Sequence, residues 1–374
     1  MTSLRSLVAR LFDGAEADAP GAPDADFVIA PRDRDEAARL LDIASEHGLV
    51  VLPWGGGEHQ GMGGRVEPDI VLVTSSLDGV IDYQPEDLTV VVGGGTTVTD
   101  LEETLAEHHL TAVLPEHPGD GTVGGAIAAA ASPWRRLRYG PVRDRMLQVT
   151  LATGDGRLVT AGGRVVKNVT GYDIPRLGAG SLGSLGVIVD TCIKLWPRGE
   201  ASATVVVDDP ERALGVAHKP LAVAGDAREA RVYLSGTARE VEAQAADLGG
   251  KATSGLSWPH DPAGEVAGVV RVPPALVGDA LDRLPAGAGV VAAFGVGEVR
   301  WASDTDPART VLTEVRAWSE TVGGSTVIAR APDGLYAEFD SWGSPPSTLD
   351  LQRRIKAAFD PAGVMVPGRL PGGV

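Results

Sequence analysis

Along the first half of the chain, apolar residues alternate between two rhythms. Short β-branched runs, Phe27-Val28-Ile29-Ala30 and Leu49 to Pro53, flank a segment in which Ala37, Leu40, Leu41 and Ala44 recur at helical spacing. Asp33 and Glu36 have the spacing of a capping box at the head of that helix, and Gly48 supplies its stop. Strand, helix, strand is the opening of an α/β unit. Ile70 to Val73, Val80 to Tyr83 and Leu88 to Val92 read as further strands, with Asp78-Gly79 and Gln84-Pro85 marking turns. Thr99 and Glu102 predict a second capping box, opening a helix that ends near His109. The small residues of Gly124 to Ala131 predict a short, closely packed helix. Met146 to Ala152 and Leu158 to Thr160, around Gly154-Asp155-Gly156, predict a hairpin, and Val187 to Trp196 a long strand.

After Pro197-Arg198-Gly199 the glycine clusters thin out. Thr204 to Val207, Arg231 to Leu234, Val269 to Val272 and Val290 to Phe294 read as strands, and a helix from Pro307 to Gly323 carries Val311, Val315 and Trp318 at helical spacing. One more helix is predicted from Leu349 to Phe359, before a Pro- and Gly-rich end. The division expected is a loosely ordered segment over 1–25, a first domain over 26–199, an α+β domain with helices on one sheet face over 200–330, and a tail over 331–374 that returns to the first domain.

Composition narrows the function. A formal charge of −17 and an aromatic content of 5% argue against a nucleic-acid surface, which needs clustered Lys and Arg. The single cysteine, Cys192, excludes an internal disulfide and iron–sulfur ligation by this chain. Residues 1–20 hold Arg5, Arg10, Asp13, Glu16 and Asp18 and lack the apolar core of a signal peptide. No window approaches about 18 uninterrupted apolar residues, so no direct membrane span is expected. The expected location is cytoplasmic, with any peripheral membrane association supplied by partners.

Glycine is the outlier, at 49 residues, and its clusters carry the candidate chemistry. Trp54-Gly55-Gly56-Gly57-Glu58-His59-Gln60 follows a strand, where converging N–H groups suit a pyrophosphate; a plain turn is the competing reading. The run does not fit the G-x-G-x-x-G fingerprint or a Walker motif, which points to another kind of nucleotide binder. Thr122-Val123-Gly124-Gly125, after a rigid loop from Pro115 to Gly121, admits either a flat ring system against the backbone or a tight helix–sheet contact. Val166 to Leu177, followed by Gly180 to Ile188, combines a polar cluster, a glycine-rich turn and a β-branched run.

These motifs, together with Tyr139-Gly140-Pro141-Val142-Arg143-Asp144, Lys167-Asn168-Val169-Thr170-Gly171-Tyr172-Asp173 and Gly183-Ser184-Leu185-Gly186-Val187-Ile188, resemble the FAD-binding PCMH-type domain of the vanillyl-alcohol oxidase/para-cresol methylhydroxylase superfamily. Within it they are most similar to the FAD-binding E subunits of bacterial glycolate oxidases. The resemblance runs from about Val28 to Trp196 and resumes at Phe359-Asp360-Pro361-Ala362-Gly363, with Val366-Pro367-Gly368-Arg369 where the family ends in Asn-Pro-Gly-Arg/Lys. It implies a two-subdomain, VAO-like α+β fold with a C-terminal α+β cap. It further implies a pyrophosphate loop of Gly55, Gly56, Gly57, Glu58, His59 and Gln60, and a second flavin contact from Pro115, Thr122, Val123, Gly124 and Gly125. Gly140 and Val142 should lie beside that contact, Gly186 and Ile188 should hold the adenine side, and Arg369 should approach from the tail. With both loops rich in N–H groups, both are expected to neutralise phosphate charge.

Relatives with a histidyl flavin bond carry His directly after the paired glycines. Here Glu58 takes that place, so non-covalent FAD is expected. Lys167, Tyr172 and Asp173 are the candidates for catalytic work at the polar end of the flavin; the alternative is a Lys167–Asp173 pair with Tyr172 packed. The His-rich cap motif of metal-dependent relatives is missing, since residues 200–330 contain only His218 and His260, and no metal site is expected. The activity implied is oxidation of a small 2-hydroxy acid, glycolate to glyoxylate, with electrons passed through FAD to a second FAD-binding glycolate oxidase chain and an iron–sulfur chain. Two alternatives are a free-standing oxidase or dehydrogenase of another small hydroxy acid or alcohol, and a structural subunit with an empty flavin pocket.

Overall fold

The alternation at the start of the chain becomes a three-stranded parallel sheet: β1 (Phe27–Ile29), β2 (Val51–Trp54) and β3 (Ile70–Val73), in the order β1-β3-β2. It belongs to a computed structural model that describes residues 8, 11–116, 121–164, 171–226 and 228–374. Helix α1 (Arg34–His47) covers this sheet with Leu40, Leu41 and Ala44, all fully buried. Its cap is half of the expected box. Asp33 accepts the N–H of Glu36 at 2.8 Å, but the Glu36 carboxylate reaches past the cap to the N–H and guanidinium of Arg32. The segment before β1, expected to be loose, packs where it is described: Phe12 is buried beside Leu40 and Leu41, and Ala17 donates to the Val28 carbonyl.

A five-stranded antiparallel sheet follows: β4 (Val80–Gln84), β5 (Thr89–Gly93), β7 (Met146–Ala152), β8 (Leu158–Gly162) and β9 (Val187–Lys194), ordered β4-β5-β9-β7-β8. It curls enough for Arg164, just past one edge strand, to pair with Asp82 on the other at 2.6 Å. Helix α2 (Val98–Ala106) starts two residues before the predicted box, because Thr97 rather than Thr99 caps it. Glu102 is spent elsewhere. It accepts the Thr111 hydroxyl and the Ala112 N–H, fastening α2 to β6 (Leu110–Thr111), the partner of β10 (Trp196–Pro197).

Beyond β10 the chain forms an eight-stranded antiparallel sheet: β11 (Ala201–Val207), β12 (Ala222–Gly225), β13 (Ala230–Gly236), β14 (Lys251–Ser254), β15 (Val266–Arg271), β16 (Gly289–Ala293), β17 (Glu298–Ser303) and β18 (Ser325–Arg330), in the order β14-β11-β13-β12-β16-β17-β15-β18. Its strand period of two separates two faces. Val223 and Val232 pack with the helices, whereas their neighbours Ala224 and Tyr233 pack with Trp134 from the first half of the chain. The helix predicted from Pro307 runs from Thr305 to Thr321 with a π turn at Val311–Val315. The tail helix spans Leu349–Phe359 as expected, and the residues after it return to β2, where Met365 bridges Val51 and Val366 donates to the Val51 carbonyl.

Candidate functional site

Three strand-end turns and the tail face one cleft. The first wall is Pro53 to Gln60, after β2. The second is Gly94, after β5, with helix α3 (Val123–Ala128), and the third is Leu182 to Ile188, leading into β9. Arg369 completes it from the tail.

In the first wall, backbone donors and acceptors are sorted. The N–H groups of Gly56, Gly57 and Glu58 donate to no acceptor among the described residues, whereas those of Gln60 and Met62 close back on the carbonyls of Gly57 and His59. The carbonyls further along are all engaged. Arg369 donates to His59 O at 3.2 Å, Gln60 O at 2.9 Å, Met62 O at 3.0 Å and the Gln60 side chain at 2.8 Å, and the Tyr336 hydroxyl donates to Gly61 O at 2.6 Å. Gly57 is required here. Its φ is +78°, and a Cβ would stand 2.6 Å from the Trp54 ring.

Arg369 is 3% exposed and has no ion-pair partner among the described residues. Burial pushes its pKa down to about 10, which leaves it charged at neutral pH. An unneutralised buried cation beside three unspent amide donors favours an anion.

The second wall differs from its expectation as a phosphate-neutralising loop. Val123 N–H donates to Thr96 O, Gly124 N–H to Gly94 O at 2.7 Å, and Gly125 N–H to the Thr122 hydroxyl. The first two seat α3 on the turn after β5, and the third closes the helix's own cap. The seat is tight because two glycines meet, and a Cβ on Gly124 would lie 2.8 Å from Gly94 O. What this wall presents to the cleft is a low surface of Gly124, Gly125, Ala126, Ala128 and Ala129, against which a planar ring can lie. The third wall hangs on the second, as Leu182 N–H donates to Ala128 O at 2.8 Å.

Of the residues singled out from sequence, Gly55, Gly56, Gly57, Glu58, His59, Gln60, Thr122, Gly124, Gly125, Gly186, Ile188 and Arg369 converge on this cleft. Pro115, Val123, Gly140 and Val142 are not among its described lining. Val123 and Val142 lie in the hydrophobic core, and the Gly140 carbonyl accepts from the buried Arg145 at 2.8 Å. Lys167 falls outside the described residues. Tyr172 is 93% exposed and away from the lining, which also excludes its packed alternative. Asp173 caps the short helix α4 (Ile174–Gly178) by accepting the Arg176 N–H, and pairs with the Arg176 side chain at 3.4 Å. Thr74 and Gly94 line the cleft without having been singled out. For Gly94 a signal existed in the run Gly93-Gly94-Gly95.

Residues 25–162 match the FAD binding domain family. The chain carries an FAD-binding domain. Glycolate oxidase subunit GlcE of Escherichia coli (strain K12) is 28% identical over 310 residues, covering 78% of this chain and 84% of that protein. Glycolate oxidase subunit GlcD of Bacillus subtilis (strain 168) is 33% identical over 186 residues, 48% of this chain; the match spans about two-fifths (39%) of that relative's length. Among solved structures, alkyldihydroxyacetonephosphate synthase superposes with a TM-score of 0.66 at 15% identity, covering 92% of this chain and 76% of that one. The FAD-binding domain thus has the PCMH/VAO-type fold. No helix among the described residues is long and apolar enough to cross a membrane.

Proposed function

We propose that the cleft holds FAD non-covalently and that the chain is an FAD-dependent oxidoreductase subunit of a glycolate oxidase-like assembly, oxidising a small 2-hydroxy acid with a second FAD-binding chain and an iron–sulfur chain as partners. The observation that carries the reading is the pairing of unspent amide donors and a buried, unneutralised Arg369 on one side of the cleft with a wall of Gly and Ala on the other. That pair of surfaces fits a molecule with a pyrophosphate and a flat ring system. Likeness to GlcE over most of that protein's length supports the choice of assembly.

In this reading Gly56, Gly57 and Glu58 bind the pyrophosphate through their N–H groups, Arg369 adds positive potential, and Gly124 to Ala129 exclude water from one face of the ring. Oxidising glycolate to glyoxylate removes two electrons and two protons, and bound FAD supplies the acceptor. With Cys192 as the sole cysteine, any iron–sulfur relay belongs to a partner. Glu58, in the place of a flavin-bonding His, leaves the cofactor extractable.

The test is purification with and without candidate partner chains, acid precipitation, and anaerobic titration with glycolate and D-lactate. Flavin released into the acid supernatant and bleached by glycolate only in the complex is the expected result. Bleaching in the lone chain favours a free-standing dehydrogenase, and a folded chain that stays colourless in excess FAD refutes the cofactor assignment.

A further inference from the structure

We infer that Lys356 and Asp360 are positioning residues for the cleft: they pin its third wall to the tail, so that FAD binding and docking of the tail form one coupled equilibrium. The inference rests on the reading that the cleft holds FAD.

Lys356 sits on the tail helix with its ammonium buried among acceptors: Ser184 O at 2.8 Å, Asp360 Oδ2 at 2.6 Å and Met365 O at 2.6 Å. All three of its donors are therefore spent. Ser184 is fully buried and stands two residues before Gly186, which lines the cleft. Apart from the Leu182 N–H bond to Ala128 O at its start, the bonds inside that turn are local, from the Ser184 hydroxyl to Ser181 O and from Gly186 N–H to Gly183 O. Lys356 ties its middle to the rest of the molecule. Asp360, 2% exposed, in turn accepts the N–H groups of Val364 and Met365 at 3.0 and 2.9 Å and so sets the path of the tail toward β2.

The base of this lock is itself anchored. Gly154 N–H donates to Phe359 O and Arg157 to Ala358 O, seating the end of the helix on the turn between β7 and β8. A few residues further on, Arg369 gathers the carbonyls of the first wall. One short stretch of tail thus fixes two of the three walls. It also lies outside residues 25–162, where the FAD binding domain family matches.

Removing the ammonium strands a buried carboxylate and deprives the Ser184 and Met365 carbonyls of their donor. The test measures FAD dissociation constant and melting temperature together in wild type, Lys356→Met and the charge-free double variant Lys356→Met/Asp360→Asn. A positioning role predicts at least tenfold weaker FAD binding in Lys356→Met. In the double variant the melting temperature recovers toward wild type while binding stays weak, because Ser184 O still lacks its donor. Binding within twofold of wild type in Lys356→Met, or binding that recovers in step with stability in the double variant, overturns the inference and leaves the cofactor reading standing. If the variants do not fold, hydrogen exchange on wild type decides. Saturating FAD is expected to slow exchange at Val364, Met365 and Val366 at least tenfold, and unchanged rates there overturn it. A wild-type chain that binds no FAD removes the cofactor reading and the inference together.

Discussion

Replacing Arg369 by Met keeps most of the side chain's length while deleting every donor it offers to the first wall. Four bonds of 2.8–3.2 Å disappear, leaving the carbonyls of His59, Gln60 and Met62 and the Gln60 amide oxygen without that partner. A buried acceptor left unpaired costs about 1–3 kcal/mol. Residues 59–62 are only half-buried, so water reaches some of these atoms and the low end applies, about 4 kcal/mol in all, spread between the loop's own ordering and global stability. The cation is lost as well. A pKa of about 10 keeps the native guanidinium charged at pH 7, and no carboxylate neutralises it among the described residues. Charge-assisted contacts contribute about 1.5–3 kcal/mol, so FAD should bind roughly 10- to 150-fold more weakly. Fluorescence quenching of FAD by apo-protein measures this directly. Arg369→Lys, which restores charge but offers a rotating ammonium in place of a planar fork, should fall between the two. An Arg369→Met variant that binds FAD within twofold of wild type would show that the first wall keeps its shape without the tail, and that the cation is irrelevant to the ligand.

Three further outcomes follow from local geometry. Gly124→Ala places a methyl 2.8 Å from the backbone oxygen of Gly94 and should abolish FAD binding at micromolar concentrations, whereas Gly125→Ala meets only the Thr122 hydroxyl at 3.0 Å and should bind within tenfold of wild type; equal affinities would contradict the tight seat of α3. Asp173→Ala should lower stability by about 1 kcal/mol, the cost of a lost helix cap, and leave the flavin spectrum and FAD affinity unchanged; a spectral shift would return Asp173 to the site. Burial pushes the Cys192 thiol up to about 11, against about 8.5 in an unfolded chain. The folded state therefore keeps a proton that the unfolded state releases, and this contribution is intact below about pH 8.5 and lost as pH climbs through 11. Cys192→Ala should flatten that alkaline decline in urea titrations by on the order of 3 kcal/mol, and an unchanged slope would mean that the thiol is not buried.

Local signals were legible wherever the deciding contacts lay close in sequence. The tail helix Leu349–Phe359, the Asp33 cap and the hairpin around Gly154 to Gly156 form as their residues dictate. Thr99 and Glu102 misled because their box spacing is real, yet Glu102 is claimed by Thr111, Ala112 and Arg198, and Thr97 caps the helix instead. The glycine runs marked the cleft but not the division of labour between them: whether an N–H is free depends on a partner strand, and Gly94 and Thr96 take those of α3. Lys356 was invisible for the same reason. On its own helix it resembles an ordinary surface lysine, and its partner Ser184 lies 172 residues away. In the sequence Val366 stood out only as a departure from the family's Asn. It is fully buried against Leu52, Trp54 and Val71 with φ at +36°, so an apolar plug is held at the cost of a backbone angle that β-branched residues avoid.

The long-range contacts also explain how a chain with a formal charge of −17 can present a site for an anion. Its overall field repels phosphate, and no cluster of lysines offsets this among the described residues of the cleft lining. Attraction has to come at short range, from the charged Arg369 guanidinium and from peptide dipoles held in fixed directions. Arg369 and Tyr336 fix the backbone just beyond by holding the carbonyls from His59 to Met62, while Gly56 to Glu58 keep their N–H groups unspent. Glu58 itself rests against Gly121, where a Cβ would collide with its carboxylate. The tail thus acts at a distance on charge: by fixing the backbone of the first wall through Arg369 and that of the third through Lys356, it orients the peptide dipoles that the surface charge would otherwise overwhelm.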